Sequence, residues 1–113
     1  MNTTKAINRV EILGELLDTP VERELPNGTA FISFTVVVPA GEGPATSVPV
    51  TWFEPPTRVQ KWAPGDQIGV IGAIARRFFR FQGRTVPVTE VRVDGAELVR
   101  HKARFKKLVA SAA

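Results

Sequence analysis

The sequence has no cysteine, no tyrosine, one methionine and one histidine among its 113 residues. Without cysteine there is no disulfide, no thiolate nucleophile and no sulfur ligand for zinc, and the composition suits a reducing compartment. The one histidine, His101, sits inside a basic carboxy-terminal run. Hydrolytic and transfer chemistry therefore has no poised base to use. A G-x-S-x-G elbow and a G-x-x-x-x-G-K-[ST] loop are both missing, and Gly41-Glu42-Gly43 is too short to cradle a phosphate. No apolar run approaches the ~20 residues of a membrane-crossing helix, and residues 1–10 lack the apolar centre of a secretory signal. The expectation is a binding protein rather than an enzyme, with no catalytic residue, no metal, no cofactor and no membrane partner.

What the sequence does contain is charge of uneven sign. The formal net charge is +4, yet residues 1–56 hold three bases against seven acids and residues 57–113 hold twelve bases against four acids. A polarised basic chain of this kind favours a polyanion, most often a nucleic acid. Arginine outnumbers lysine ten to five. Arginine both pairs with phosphate and stacks on planar rings.

Alternation of period two dominates the chain, with turn signals between the runs. Residues 6–17, AINRVEILGELL, predict a first strand with a bend or bulge at Gly14. VEREL predicts a half-exposed strand, Pro26-Asn27-Gly28 a hairpin turn, and residues 29–38, TAFISFTVVV, a central strand. Residues 39–47, PAGEGPATS, read as a mobile Gly/Pro-rich loop before the strand VPVTWF. Residues 57–63, TRVQKWA, predict a short helix capped by Thr57. QIGVIGAIARRFFRF then forms a long strand that Gln82-Gly83 turns back into RTVPVTEVRV, and Asp94-Gly95 reads as a further turn before AELV. The fold class is all-β with one short helix, a five-stranded Greek-key barrel of the OB type. The long hairpin between its fourth and fifth strands protrudes.

One stretch joins the basic and aromatic signals. In ARRFFRFQGR, residues 75–84, extended backbone puts Arg77, Phe79 and Phe81 on one face and Arg76, Phe78 and Arg80 on the other. Rings beside cations make a stacking platform for nucleic-acid bases, worth roughly 1–3 kcal/mol per base and tolerant of base identity. On the residues alone a second reading stays open, in which Phe79 and Phe81 fill a core or subunit interface.

The opening INRVEILGELLDTPVERELPNGTAFISFTVVV resembles that of the bacterial single-stranded DNA-binding protein family. Asn8, Arg9, Val10, Gly14, Leu16, Asp18, Pro20, Arg23, Pro26, Asn27 and Gly28 fall on its pattern. KWAPGDQIGVIGAI and VTEVRVDGAELV are similar to later segments, so the likeness covers residues 6–99. The resemblance implies sequence-independent single-stranded DNA binding in replication, recombination or repair, in the bacterial cytoplasm at the nucleoid, by a homotetramer or dimer. It puts Phe79 where the family carries a stacking tryptophan. It also leaves either Trp52 or Phe53 as a second ring facing DNA. With these, Arg9, Arg58, Arg76, Arg77, Arg80, Phe81 and Arg84 make up the expected DNA-binding set.

Three departures from the family qualify the expectation. Residues 39–47 hold no aromatic, the helix is short, and the chain ends in the basic HKARFKKLVASAA instead of an acidic tip. The division expected is therefore a DNA-binding domain over residues 1–99 and a basic tail over 100–113. Tail-mediated recruitment of replication proteins is not expected. The tail either attracts phosphate or packs as a helix through Phe105, Leu108 and Val109. Two other functions remain as alternatives: a primosomal B-type helicase-loading factor, and an OB-fold module that binds protein.

Overall fold

Residues 5–112 are described by the computed structural model. The first four residues of the expected DNA-binding domain, and Ala113, lie outside them. In chain order the elements are β1 (Val10–Leu16), β2 (Val21–Glu24), β3 (Ala30–Ala40), β4 (Gly43–Phe53), a 3-10 helix (Thr57–Lys61), β5 (Gln67–Phe81), β6 (Arg84–Leu98) and α1 (Lys102–Ala112).

Closure depends on β1, which serves two neighbours. It pairs antiparallel with β5 from Val10↔Gly72 to Glu15↔Gln67, and with β3 at Glu15↔Val37 and Leu16↔Val36. The change of partner falls beside Gly14, with no shift of register, so the expected feature there is a bend and not a bulge. β3 then pairs with β4, β4 runs parallel to β6 at Val50↔Val91, and β6 returns along β5. The cycle β1-β3-β4-β6-β5 is a closed five-stranded barrel, with β2 added to the free edge of β3. This is the OB-fold, and the far halves of β5 and β6 form its long hairpin.

Strand alternation builds the core. Ile32, Phe34 and Val36 of β3 point inward against Trp52, Val50 and Val48 of β4 in register. Ile68, Val70, Val91, Val93 and Leu98 complete the lining from β5 and β6. Each aliphatic side chain so buried contributes about 1.5–3 kcal/mol. Trp62, just beyond the 3-10 helix, closes one end with its ring centroid 6.2 Å from those of both Phe34 and Trp52.

Trp52 therefore leaves the set of expected DNA-facing rings. It is 8% exposed, because pairing with Ile32 fixes it on the inward face of β4 and Trp62 covers it. Its neighbour Phe53 takes the outward side.

Three local expectations are revised, and the tail takes one of the forms expected of it. The stretch 39–47 is not an open loop: β3 and β4 continue through it to Ala40↔Gly43, and Pro39 and Pro44 fall inside a break in register after Val38↔Thr46. Prolines are tolerated at such breaks because they owe no ladder hydrogen bond there. Asp94-Gly95 is not a turn: β6 runs unbroken, and Asp94 is the extra residue between Gly72↔Val93 and Ile71↔Gly95. The short helix is 3-10, Pro56 precedes it in extended geometry, and Thr57 is its first residue and not its cap. The tail is helical over α1, which lies across β5 and β6. Phe105 sits on Gly69 and Leu108 on Gly95, where a Cβ would collide with each, while Val109 stays half-exposed.

Candidate nucleic-acid interface

Residues of one parity on β2, β3 and β4 face out of the barrel, and the hairpin leans over them. Phe31 and Ser33 of β3 stand opposite Arg23 and Val21 of β2, and opposite Phe53 and Thr51 of β4. Arg92 lies beside Thr51 through the parallel β4–β6 contact. Arg77 and Phe79 reach across from β5. Together Arg23, Phe31, Ser33, Arg77 and Phe79 line a groove of about 360 Å³. Sites for small organic ligands run roughly 300–1,000 Å³, so the groove has room for a flat ring system. A second hollow of about 270 Å³ adjoins it, floored by Ser33, Thr35, Thr51 and Glu90.

Three rings define the platform. Phe31 and Phe53 lie with centroids 5.5 Å apart at 37°, and Phe79 forms the opposite wall. Two of the rings carry a cation: the Arg92 guanidinium is 4.8 Å from the Phe53 centroid and that of Arg77 is 5.9 Å from Phe79. Such stacking holds arginine flat while leaving its N–H edges free for phosphate oxygens. Among the described residues Arg23 and Arg92 make no ion pair.

Arg77 is fixed differently. Its Nε donates to Oε1 of Glu90 at 2.9 Å, and the Glu90 side chain is only 2% exposed. The second carboxylate oxygen of Glu90 has no partner among the described residues. A buried acid inside a basic groove anchors Arg77 from below through Nε alone. Removing Arg77 leaves that carboxylate buried and unpaired, which costs roughly 1–3 kcal/mol. Arg77→Ala should thus lose both stability and nucleic-acid affinity. Arg77→Ala combined with Glu90→Ala should regain most of the stability and none of the affinity. Thermal melts paired with oligonucleotide titrations check this. Recovery of affinity in the double variant would show that Arg77 acts only through folding.

The expected residues divide by face. Pairing with β6 puts Arg77↔Val88, Phe79↔Val86 and Phe81↔Arg84 on the groove side of the hairpin. Arg76 and Arg80 fall on the back with Phe78, where Arg76 stacks 5.4 Å from the Phe78 centroid. Phe81 is 58% exposed and Phe79 39%. Arg9 precedes β1, away from the groove lining, with Glu11 3.7 Å away. Arg58 is held by Glu97, its Nε and Nη2 donating to the two carboxylate oxygens at 3.2 and 2.6 Å.

Sequence reading missed Phe31, Arg23 and Arg92. One signal was present. In AFISFTVVV, Phe31 shares its parity with Ser33 and Thr35, while Ile32, Phe34 and Val36 share the other. A ring on the polar side of a strand faces out of the barrel, and Phe31 is half-buried there.

Residues 7–99 match the model of the single-strand binding protein family. The chain is also 32% identical over 105 residues to single-stranded DNA-binding protein A of Bacillus subtilis (strain 168). That alignment covers 85% of this chain and 61% of the relative, so the chain spans about three-fifths of that protein's length. The barrel, the outward rings and the family match over nearly all of it agree, and the chain belongs to the single-strand binding protein family.

Proposed function

We propose that the protein binds single-stranded DNA without base preference, across the outer face of β3 and β4 and beneath the β5–β6 hairpin. The observation that carries this reading is the groove lined by Phe31, Phe79, Arg23 and Arg77, with the Phe53–Arg92 stack beside Phe31. Bases unstacked from one another lie on the rings. Phosphates between them meet the guanidiniums. A duplex keeps its bases inside and offers this surface only its backbone, so it binds less well. The Bacillus relative's name describes the same activity in that protein.

The binding is purely associative on this reading. Its cellular setting is replication, recombination or repair, wherever strands are exposed, hence the cytoplasm and the nucleoid. Fluorescence anisotropy of a labelled oligothymidine tests it. Log affinity should fall linearly with log salt, with about 0.7 of slope for each phosphate neutralised. Unlabelled duplex of equal length should compete poorly. A flat salt response together with equal competition by duplex would rule the reading out.

The protein acts as a homo-oligomer, a dimer or a tetramer. Supporting this are the exposed aliphatic side chains on and beside β1, Ile7, Leu13 and Leu17, which lie outside the groove lining. Sedimentation equilibrium at micromolar protein should give a dimer or tetramer mass. A single monomeric species across that range would contradict it.

A further inference from the structure

We propose that α1 extends the single-strand contact surface, through a phosphate track running from Phe53 and Arg92 past Arg58 onto Arg104 and Lys107. This rests on the single-strand-binding reading above and carries it beyond the barrel.

The way α1 docks decides which cations can take part. Phe105 and Leu108 face the barrel on Gly69 and Gly95. At 100° per residue, Arg104 and Lys107 then lie on one flank of the helix and Lys102 and Lys106 on the other. The first flank borders Glu97, and Arg104, Lys107, Leu108 and Ser111 share a cleft with it. The Nε of Arg104 is 3.4 Å from Oε1 of Glu97, the same carboxylate that Arg58 grips with two donors. Two guanidiniums around one carboxylate leave a surplus positive charge, and Lys107 adds another that no ion pair absorbs among the described residues.

This cluster is continuous with the aromatic platform on two sides. Arg58 is the second residue of the 3-10 helix, the chain's next element after Phe53. Along β6, Arg92 and Glu97 both face outward, with the extra residue Asp94 between them restoring the parity. At about 3.3 Å per residue they are roughly 15 Å apart. A strand leaving the Phe53–Arg92 stack toward that end of the barrel meets Arg58, Arg104 and Lys107 next. The cations also sit in the first two turns of α1, with no acid in its first turn. There they oppose the helix dipole, so helix stability does not account for them, and a bound anion offsets the conflict.

The test compares salt slopes on an oligothymidine of about 30 nucleotides, longer than the roughly 4–16 that one such barrel occupies. Three proteins are titrated: the unchanged chain, Arg104→Gln with Lys107→Gln, and Lys102→Gln with Lys106→Gln. Both variants lose the same charge. The slope of the Arg104/Lys107 variant should shrink by about 1.4, at ~0.7 per phosphate, while that of the Lys102/Lys106 variant stays at the unchanged value. Lys107→Gln alone, which disturbs no ion pair, should shrink it by about 0.7, and it covers the case in which losing Arg104 loosens the helix. Equal slopes in all proteins overturn the track. Equal losses in both double variants do so too, since they mean diffuse attraction. If the unchanged chain fails to bind the oligothymidine at low salt, the single-strand reading falls first and the track with it.

Discussion

Trp52→Ala should cost about 3–5 kcal/mol of stability, the usual range for truncating a buried large aromatic. Phe53→Ala, one residue along, should cost stability only the ~0.5–1.5 kcal/mol of its pairing with Phe31 and weaken single-strand binding by about 1–3 kcal/mol. The contrast follows from strand parity. Trp52 packs inward on Trp62 and stands beside Ile32, whereas Phe53 lies outward between Phe31 and Arg92. A loss of that size is a large share of the ~5–15 kcal/mol that keeps a domain folded. It should lower the melting temperature by at least about 10 °C. Melting curves and oligothymidine titrations of both variants decide the matter. A Trp52→Ala protein that melts normally and binds weakly would reverse the assignment of the two faces.

Gly72→Ala should harm fold and site together. A Cβ at Gly72 would collide with the carbonyl oxygen of Arg92, which is backbone and has nowhere to swing. The strands must part where β6 already carries an extra residue, at a cost of about 1–3 kcal/mol or more for overpacking. Arg92 is the residue stacked on Phe53. Its displacement should lower affinity beyond what the lost stability explains. Titrations run well below the melting temperature of the variant separate the two effects. Normal melting and normal affinity in Gly72→Ala would contradict the close approach of β5 and β6.

The same parity explains how much of the site could be read in advance. On β5 the two faces of ARRFFRF follow from alternation alone, and Arg77, Phe79 and Phe81 do share the groove side. On β4 two rings are adjacent, so alternation puts one in and one out without saying which. Only the pairing of Trp52 with Ile32 fixes the phase, and that register belongs to the folded sheet. Arg23, Phe31 and Arg92 come from three different strands and meet because the barrel closes. The pairing of Arg58 with Glu97 could not be read in advance, because the acid is distant in sequence and adjacent in space. Gly/Pro content misled at residues 39–47, where the hairpin ladder continues past the prolines. Phe105 and Leu108 in the tail were legible as one side of a helix. The bare patches at Gly69 and Gly95 that receive them were not, because they face outward on a barrel that had first to form.

Both tryptophans lie in the core, Trp52 at 8% exposure and Trp62 at 4%, so quenching of intrinsic fluorescence is a poor reporter of ring stacking. The direct measurement is ultraviolet cross-linking of oligothymidine to the protein, with the modified residues mapped by mass spectrometry. Stacked bases cross-link to the rings they touch. Adducts at Phe31, Phe53 and Phe79 are the predicted result. Adducts confined to Phe78 on the back of the hairpin, with none at those three rings, would contradict it and move the binding surface to the opposite face.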